Sequence, residues 1–133
     1  MLPLKVETVV LCDDIRQEAN GKYLLVGVYG ANVVVKGFPA DLRLSVWILG
    51  LARKPGKAEM RLRIIGPQEA TLVEGAIEVE VKETATIIAL PGLPLQVQRE
   101  GKMSIEIASS DKEDWTPVKT VDLLLAPRTS PPG

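Results

Sequence analysis

The sequence predicts an all-β protein, an antiparallel β-sandwich of immunoglobulin-like or C2-like architecture. Three observations support this prediction. Apolar and polar residues alternate with period two along most of the 133 residues, as in strands with one buried and one solvated face. Gly and Pro separate the alternating runs, and these residues favour turns. Aromatic residues make up only 4%, so Val, Leu and Ile must build the core, which suits a pleated sheet.

The alternating runs place short strands along the whole chain. In one of them Met60, Leu62 and Ile64 alternate with charged residues. Strands are predicted at residues 4–12, 22–29, 32–36, 42–52, 57–66, 74–81, 84–90, 94–99, 102–108 and 117–125. Such spacing is typical of a sandwich or barrel. We expect residues 1–125 to form one β-sandwich domain and the Pro-rich residues 126–133 to form a flexible tail.

One strand pairing is suggested by charge. Arg61 and Arg63 project from the polar face of one predicted strand, and Glu78 and Glu80 from that of the next. If these strands pair antiparallel, unlike charges stand opposite one another. An ordinary solvated face explains the same residues.

The segment Leu42–Leu51 is apolar on both faces, because Trp47, Leu49 and Leu51 lie opposite the expected core face. A strand of this kind is covered on both sides. Either a connection such as Pro91–Pro94 crosses over it, or Trp47, Leu49 and Leu51 form a self-association face.

The residue types argue against most enzyme classes. The chain has no histidine, which removes the usual general base and the commonest metal ligand. Its one cysteine, Cys12, ends an alternating strand and is expected to be a small buried side chain. No phosphate-binding glycine motif is present. We therefore predict a protein that is not an enzyme and needs no cofactor.

Charge and cysteine content also limit the partners and the compartment. Sixteen Lys and Arg against 17 Asp and Glu give a net charge of −1, which leaves no surplus of cations to bind nucleic acid. No apolar run approaches the length that spans a bilayer. A lone cysteine fits a reducing compartment. These observations predict a cytoplasmic protein that binds neither nucleic acid nor membrane.

Two acidic segments offer an alternative function. Loops at one end of a sandwich can hold Ca²⁺, which takes six to eight oxygen ligands, although neither segment has the spacing of a known calcium loop. The carboxylates concerned are Asp13, Asp14 and Glu18 in one predicted loop, and Asp111, Glu113 and Asp114 in another.

The first polar segment is the best candidate for a recognition surface. It is expected to be a loop, since Asp and Asn favour turns and Asn20-Gly21 suits a turn with positive φ. Loops on rigid scaffolds often carry recognition. The candidate interaction residues are Asp13, Asp14, Arg16, Glu18 and Lys22.

The same region resembles a known family. Leu11–Glu18, Asn20–Lys22 and Leu25–Tyr29, followed by Phe38-Pro39, resemble an uncharacterised family of small bacterial β-domain proteins, a domain of unknown function with the pattern CDDIRQE-x-NGK-x-x-LVGVY. The resemblance implies one compact, cytoplasmic bacterial domain and brings no activity, cofactor or binding residue with it.

The sequence leaves the function unknown. An enzyme with a carboxylate pair would need a concave pocket that holds two acids, which nothing in the sequence supplies, and two other interpretations follow. The first is a non-enzymatic protein-interaction or assembly module of a bacterial cytoplasm, whose partner is an unknown protein or a second copy of the chain. That reading rests on the common use of sandwiches as scaffolds. The alternative is a β-sandwich that binds Ca²⁺ or a small ligand through its acidic loops.

Overall fold

The computed structural model describes residues 2–127, which form nine strands in two packed sheets. The strands are β1 (Leu4–Gln17), β2 (Tyr23–Val28), β3 (Asn32–Val35), β4 (Ala40–Ala52), β5 (Gly56–Ile65), β6 (Thr71–Val81), β7 (Ala85–Val97), β8 (Gly101–Ser109) and β9 (Thr116–Leu125). A short 3₁₀ turn, Pro67–Glu69, joins β5 to β6. The prediction of an all-β sandwich is confirmed, while the finer likeness to an immunoglobulin or C2 domain stays a prediction.

The two sheets have different sizes and mostly antiparallel pairing. The four-stranded sheet has the order β2-β1-β4-β7, and the five-stranded sheet has the order β3-β9-β8-β5-β6. Only β3 and β9 run parallel among the pairs of residues 2–127. As a result β2 and β7 are the edge strands of the smaller sheet.

The core lies between the sheets and consists of the alternate aliphatic residues that the period-two pattern marked. Full burial of such a side chain stabilises the fold by about 1.5–3 kcal/mol, and the many such residues here supply most of the driving force. Its largest fully buried members are Leu4, Leu11, Leu44, Ile48, Met60, Ile64, Met103, Ile105, Ile107 and Leu123.

Two predicted strands, 84–90 and 94–99, are one strand in the structure. β7 continues through Pro91 and Gly92, which form a β-bulge opposite Ser45 of β4: Val46 pairs with Leu90 and Leu44 with Leu93. An edge strand tolerates a proline, and Gly92 adopts the positive φ of 65° that the bulge requires. The prediction that Pro91–Pro94 crosses over β4 is therefore wrong, since this segment lies beside β4 in the same sheet.

The predicted loop over Asp13–Lys22 is wrong in its first half, because β1 continues to Gln17. It pairs with β4 as far as Cys12 and Ser45, and beyond that point with β2 alone. Only Glu18–Lys22 forms a turn, in which the Glu18 N–H donates to the Lys22 carbonyl at 2.7 Å. Gly21 has the positive φ, 88°, expected of the Asn-Gly pair.

The predicted pairing of arginines with glutamates is also wrong. β5 and β6 do pair antiparallel, but their register sets Arg61 opposite Ala76 and Arg63 opposite Glu74. The arginines turn instead toward β8 and the β8–β9 loop, where Arg63 forms an ion pair with Glu106 at 2.8 Å.

The C-terminal end of the described chain stays paired with β3. The Ala126 N–H donates to the Val35 carbonyl at 2.7 Å, so pairing with β3 extends one residue past β9. The rest of the predicted tail, residues 128–133, lies outside the described residues. No helix among residues 2–127 has the length and apolar character needed to cross a bilayer.

Candidate functional site

The predicted interaction residues lie on one structural unit, residues Asp13–Val28, which we call the β1–β2 hairpin. Arg16 Nε donates to Asp14 Oδ2 at 3.0 Å, and the other Asp14 oxygen accepts the Ile15 N–H at 2.9 Å. Glu18 and Lys22 stand 4.0 Å apart across the turn. The five residues are thus close in space, but they decorate a strand pair and its turn rather than a flexible loop.

The hairpin departs from β4 at Ser45. The Ser45 hydroxyl donates to the Asp13 carbonyl at 3.2 Å and accepts the Gly92 N–H at 3.0 Å. Ser45 therefore hydrogen-bonds one backbone group of β1 and one in the β7 bulge. At this point the regular pairing of β4 with both β1 and β7 is interrupted. Ser45 is one of the buried polar residues, with 0% of its surface exposed.

Contacts with Asp13 hold the C-terminal end of β2. The Tyr29 hydroxyl donates to Asp13 Oδ1 at 2.6 Å. Gly27 has φ of 69°, and a Cβ atom on it would lie only 2.2 Å from Asp13 Oδ2. Burial, reinforced by the adjacent Asp13 carboxylate, raises the pKa of Tyr29 to about 12. Tyr29 is therefore a neutral donor at physiological pH.

The hairpin lies across the outer face of β4. The Tyr23 ring packs edge-on against Trp47 with centroids 6.4 Å apart. Gln17, Gly21 and Tyr23 also line one groove with the start of β7. The Trp47 indole N–H is buried and finds no acceptor within the described part of the chain. Tyr23 therefore covers part of the outer face of β4, the apolar face for which the sequence suggests two possible covers.

The predicted self-association face is only partly exposed. Trp47 and Leu49 are half-buried, and Leu51 is 43% exposed. Self-association through Trp47, Leu49 and Leu51 stays a prediction.

The opposite face of the hairpin is apolar and open. Ile15 is buried on the side that faces the sheet. Leu24, Val26 and Val28 point the other way and are 52%, 43% and 59% exposed. They form a stripe along the edge strand β2, which we call the β2 stripe, and Asp14 and Arg16 of β1 stand directly beside it, opposite Val26 and Leu24.

Sequence reasoning missed the β2 stripe as a surface. The alternation of Leu24, Val26 and Val28 was visible, but alternation alone does not say which face is buried. The signal that could have found it is the position of the strand directly after the Asn-Gly turn, where a short hairpin has no second sheet above it.

The second acidic segment belongs to a separate polar cluster on the five-stranded sheet. Trp115 lies over two guanidinium groups, 4.8 Å from Arg61 and 4.2 Å from Arg63, a favourable cation–π arrangement. The Trp115 indole N–H donates to Glu113, which together with the Arg61 contact lowers the pKa of that carboxyl. This cluster ties the β8–β9 loop to β5.

The remaining carboxylate and thiol groups have structural contacts. Asp114 accepts hydrogen bonds from both the backbone N–H and the hydroxyl of Ser109, which lower its pKa. Cys12 is buried as predicted, and burial raises the pKa of its thiol. Within residues 2–127, no three or more Cys, Asp or Glu side chains come close enough to hold a metal ion.

Comparison with known proteins identifies the family and no activity. No curated protein matches the chain. Among solved structures, a β-glucosidase from Erythrobacter marinus is 16% identical, with 71% of this chain and 14% of that one covered and a TM-score of 0.36. A β-glucosidase from Listeria innocua, in complex with isofagomine, is 12% identical, with 91% and 16% covered and a TM-score of 0.37.

These two likenesses carry no functional argument, because both TM-scores are low and this chain spans less than a fifth of either enzyme. A family profile, in contrast, matches residues 7–117. The chain belongs to that family, DUF6941, a family of unknown function.

Proposed function

We propose that this protein is a non-enzymatic protein-interaction module of a bacterial cytoplasm, and that the β1–β2 hairpin is its binding surface. The observation that carries the proposal is the β2 stripe: three large apolar side chains, each 43–59% exposed, along a strand that is paired on one side only. Exposed contiguous apolar surface marks association sites.

The edge of β2 supports the proposal because it lacks the usual protection. Natural edge strands avoid unwanted pairing with charged side chains or proline. The six residues Tyr23–Val28 contain neither. An open edge of this kind is a template for an added strand, in which main-chain hydrogen bonds give affinity and alternate side chains give specificity.

Charged groups beside the β2 stripe supply a means of discrimination. Asp14 and Arg16 form an exposed ion pair on the neighbouring strand, and Lys22 stands at the start of β2 with a side chain 71% exposed. Charges at the rim of an apolar patch steer partners and disfavour wrong ones more than they add affinity.

The alternative function has less support. A calcium site needs several oxygen ligands around one point, and the described residues offer no such group. The Asp114 carboxylate is engaged by Ser109, and Glu113 by Arg61 and Trp115.

Affinity capture from the native host, with a matched pair of variants, tests the proposed surface. Val26→Lys puts an edge-protecting charge on the β2 stripe beside Asp14, and Val34→Lys makes the same change on β3, where Val34 is 53% exposed. We expect Val26→Lys to lose captured proteins at least tenfold, about 1.4 kcal/mol of binding free energy, while Val34→Lys keeps them. Equal capture by both variants would refute the hairpin as the surface.

A further inference from the structure

We infer that the strand added to β2 is the β2 strand of a second copy of this chain, paired antiparallel so that the two β1–β2 hairpins become one four-stranded sheet. This inference rests on the proposed function and names its partner. It differs from self-association through Trp47, Leu49 and Leu51, because here the contact is made edge to edge and Trp47 keeps its Tyr23 contact.

The backbone of β2 has donors and acceptors placed for this pairing. The Glu18 N–H donates to the Lys22 carbonyl, and hydrogen-bonded pairs alternate along an antiparallel ladder. With the register of β1 and β2, the bonded pairs are therefore Arg16 with Leu24 and Asp14 with Val26. The N–H and C=O groups of Tyr23 and Leu25 consequently point away from β1, toward the open edge. The alternation ends at Gly27, where φ is 69°, since the Tyr29 N–H donates to the Leu11 carbonyl at 2.8 Å, one residue out of phase.

A two-fold axis at Leu25 uses these free groups on both copies. Leu25 then exchanges two hydrogen bonds with Leu25 of the second copy, and Leu24 of each copy stands opposite Val26 of the other as a non-hydrogen-bonded pair. In this register Lys22–Val28 of one strand lies alongside the same segment of the other, with regular pairing around Leu25 and the Gly27 irregularity at each end. The β2 stripes of the two copies meet side by side on one face of the joined sheet.

The charges at the ends of β2 favour the antiparallel direction. Lys22 lies at the start of the strand, with Glu18 4.0 Å away across the turn, and the Asp13 carboxylate lies over Gly27 near the other end. Antiparallel pairing brings the exposed Lys22 of one copy toward Asp13 of the other, while Glu18 stays on the far strand of its own hairpin. Parallel pairing sets Lys22 against Lys22 and Asp13 against Asp13. A contact between two six-residue strands is smaller than a standard protein interface. We therefore expect a dimer that dissociates on dilution.

Cysteine cross-linking tests both the pairing and its register. In a non-hydrogen-bonded antiparallel pair the Cα atoms lie about 4.5 Å apart, within the range of a disulfide. Leu24→Cys and Val26→Cys proteins are purified separately and oxidised alone or as an equimolar mixture. The native Cys12 is buried, so the wild type supplies the background. The readout is the covalent dimer, twice 14.4 kDa, on a non-reducing gel.

We expect the mixture to give at least fivefold more covalent dimer than either protein alone. A mixture of Val34→Cys with Val26→Cys, residues that are 53% and 43% exposed but lie on different sheets, should stay at background. Dimer formation by that control at the same level, or predominant dimer in Leu24→Cys alone, would overturn the inference. So would a wild type that light scattering shows to be monomeric up to millimolar concentration. The capture experiment above can succeed in that case, so the two claims fail separately.

Discussion

Replacing Ser45 with alanine tests the anchor that directs the hairpin away from β4. The substitution removes one oxygen and leaves the β-strand otherwise unchanged. The Asp13 carbonyl and the Gly92 N–H then lose the hydroxyl that lies 3.2 and 3.0 Å from them. Because the side chain is fully buried, water has no direct route to replace it.

The expected loss follows from these two contacts. A buried polar group left without its partner costs about 1–3 kcal/mol. Both backbone groups are only partly buried, so the lower part of that range applies to each. We expect the free energy of unfolding to fall by about 2–3 kcal/mol, a large share of the stability of a domain of this size.

Urea unfolding at 25 °C, followed by circular dichroism, measures this loss. Ser104→Ala is the matched control, because Ser104 makes one side-chain hydrogen bond, to Glu106 at 3.2 Å, on a partly exposed face. Its cost should stay within about 0.5 kcal/mol. A Ser45→Ala loss no larger than that of Ser104→Ala would refute the role of Ser45 as an anchor.

Three further changes have defined outcomes. Gly27→Ala should lower the free energy of unfolding by about 1–3 kcal/mol in urea, because φ is 69° and the new Cβ clashes with Asp13. Adding Asp13→Ala should recover part of this loss. No recovery would contradict the clash. Because the Tyr29 pKa is raised to about 12, the contribution of Tyr29 to stability is complete below pH 10 and is lost between about pH 10 and 12. Thermal melts of Tyr29→Phe should lack that alkaline loss. The same alkaline loss in wild type and Tyr29→Phe would refute the role of Tyr29. The hydrogen bonds from Ser109 lower the pKa of Asp114, so the contribution of Asp114 to stability disappears as the pH falls through that lowered pKa. Asp114→Asn should therefore lose less stability at acid pH than the wild type in the same melts. An identical acid loss would contradict the assignment.

The core was predictable from the sequence because burial imposes period two on both sheets. Met60, Leu62 and Ile64, and likewise Met103, Ile105 and Ile107, are buried as the alternation indicates. The Asn20-Gly21 turn was equally clear, since few other residue pairs adopt its backbone conformation.

The departures arise where burial does not dictate the pattern. Asp14 and Arg16 lie in a strand whose outer face is solvated, so their polar side chains gave the same sequence pattern as a loop. Pro91 and Gly92 are typical turn residues, yet in the edge strand β7 they form a β-bulge and the strand continues. The partners of Arg61 depend on register and on a distant loop, which no local pattern encodes.

Amide hydrogen exchange of the wild-type protein at two concentrations tests the central claim most directly. The N–H groups of Leu24 and Val26 face β1 and should be protected at any concentration, whereas those of Tyr23 and Leu25 should exchange freely in dilute protein. If β2 pairs with a second copy, protection of Tyr23 and Leu25 rises with concentration while that of β3 stays constant. Exchange at Tyr23 and Leu25 that is equally fast at both concentrations would contradict the account.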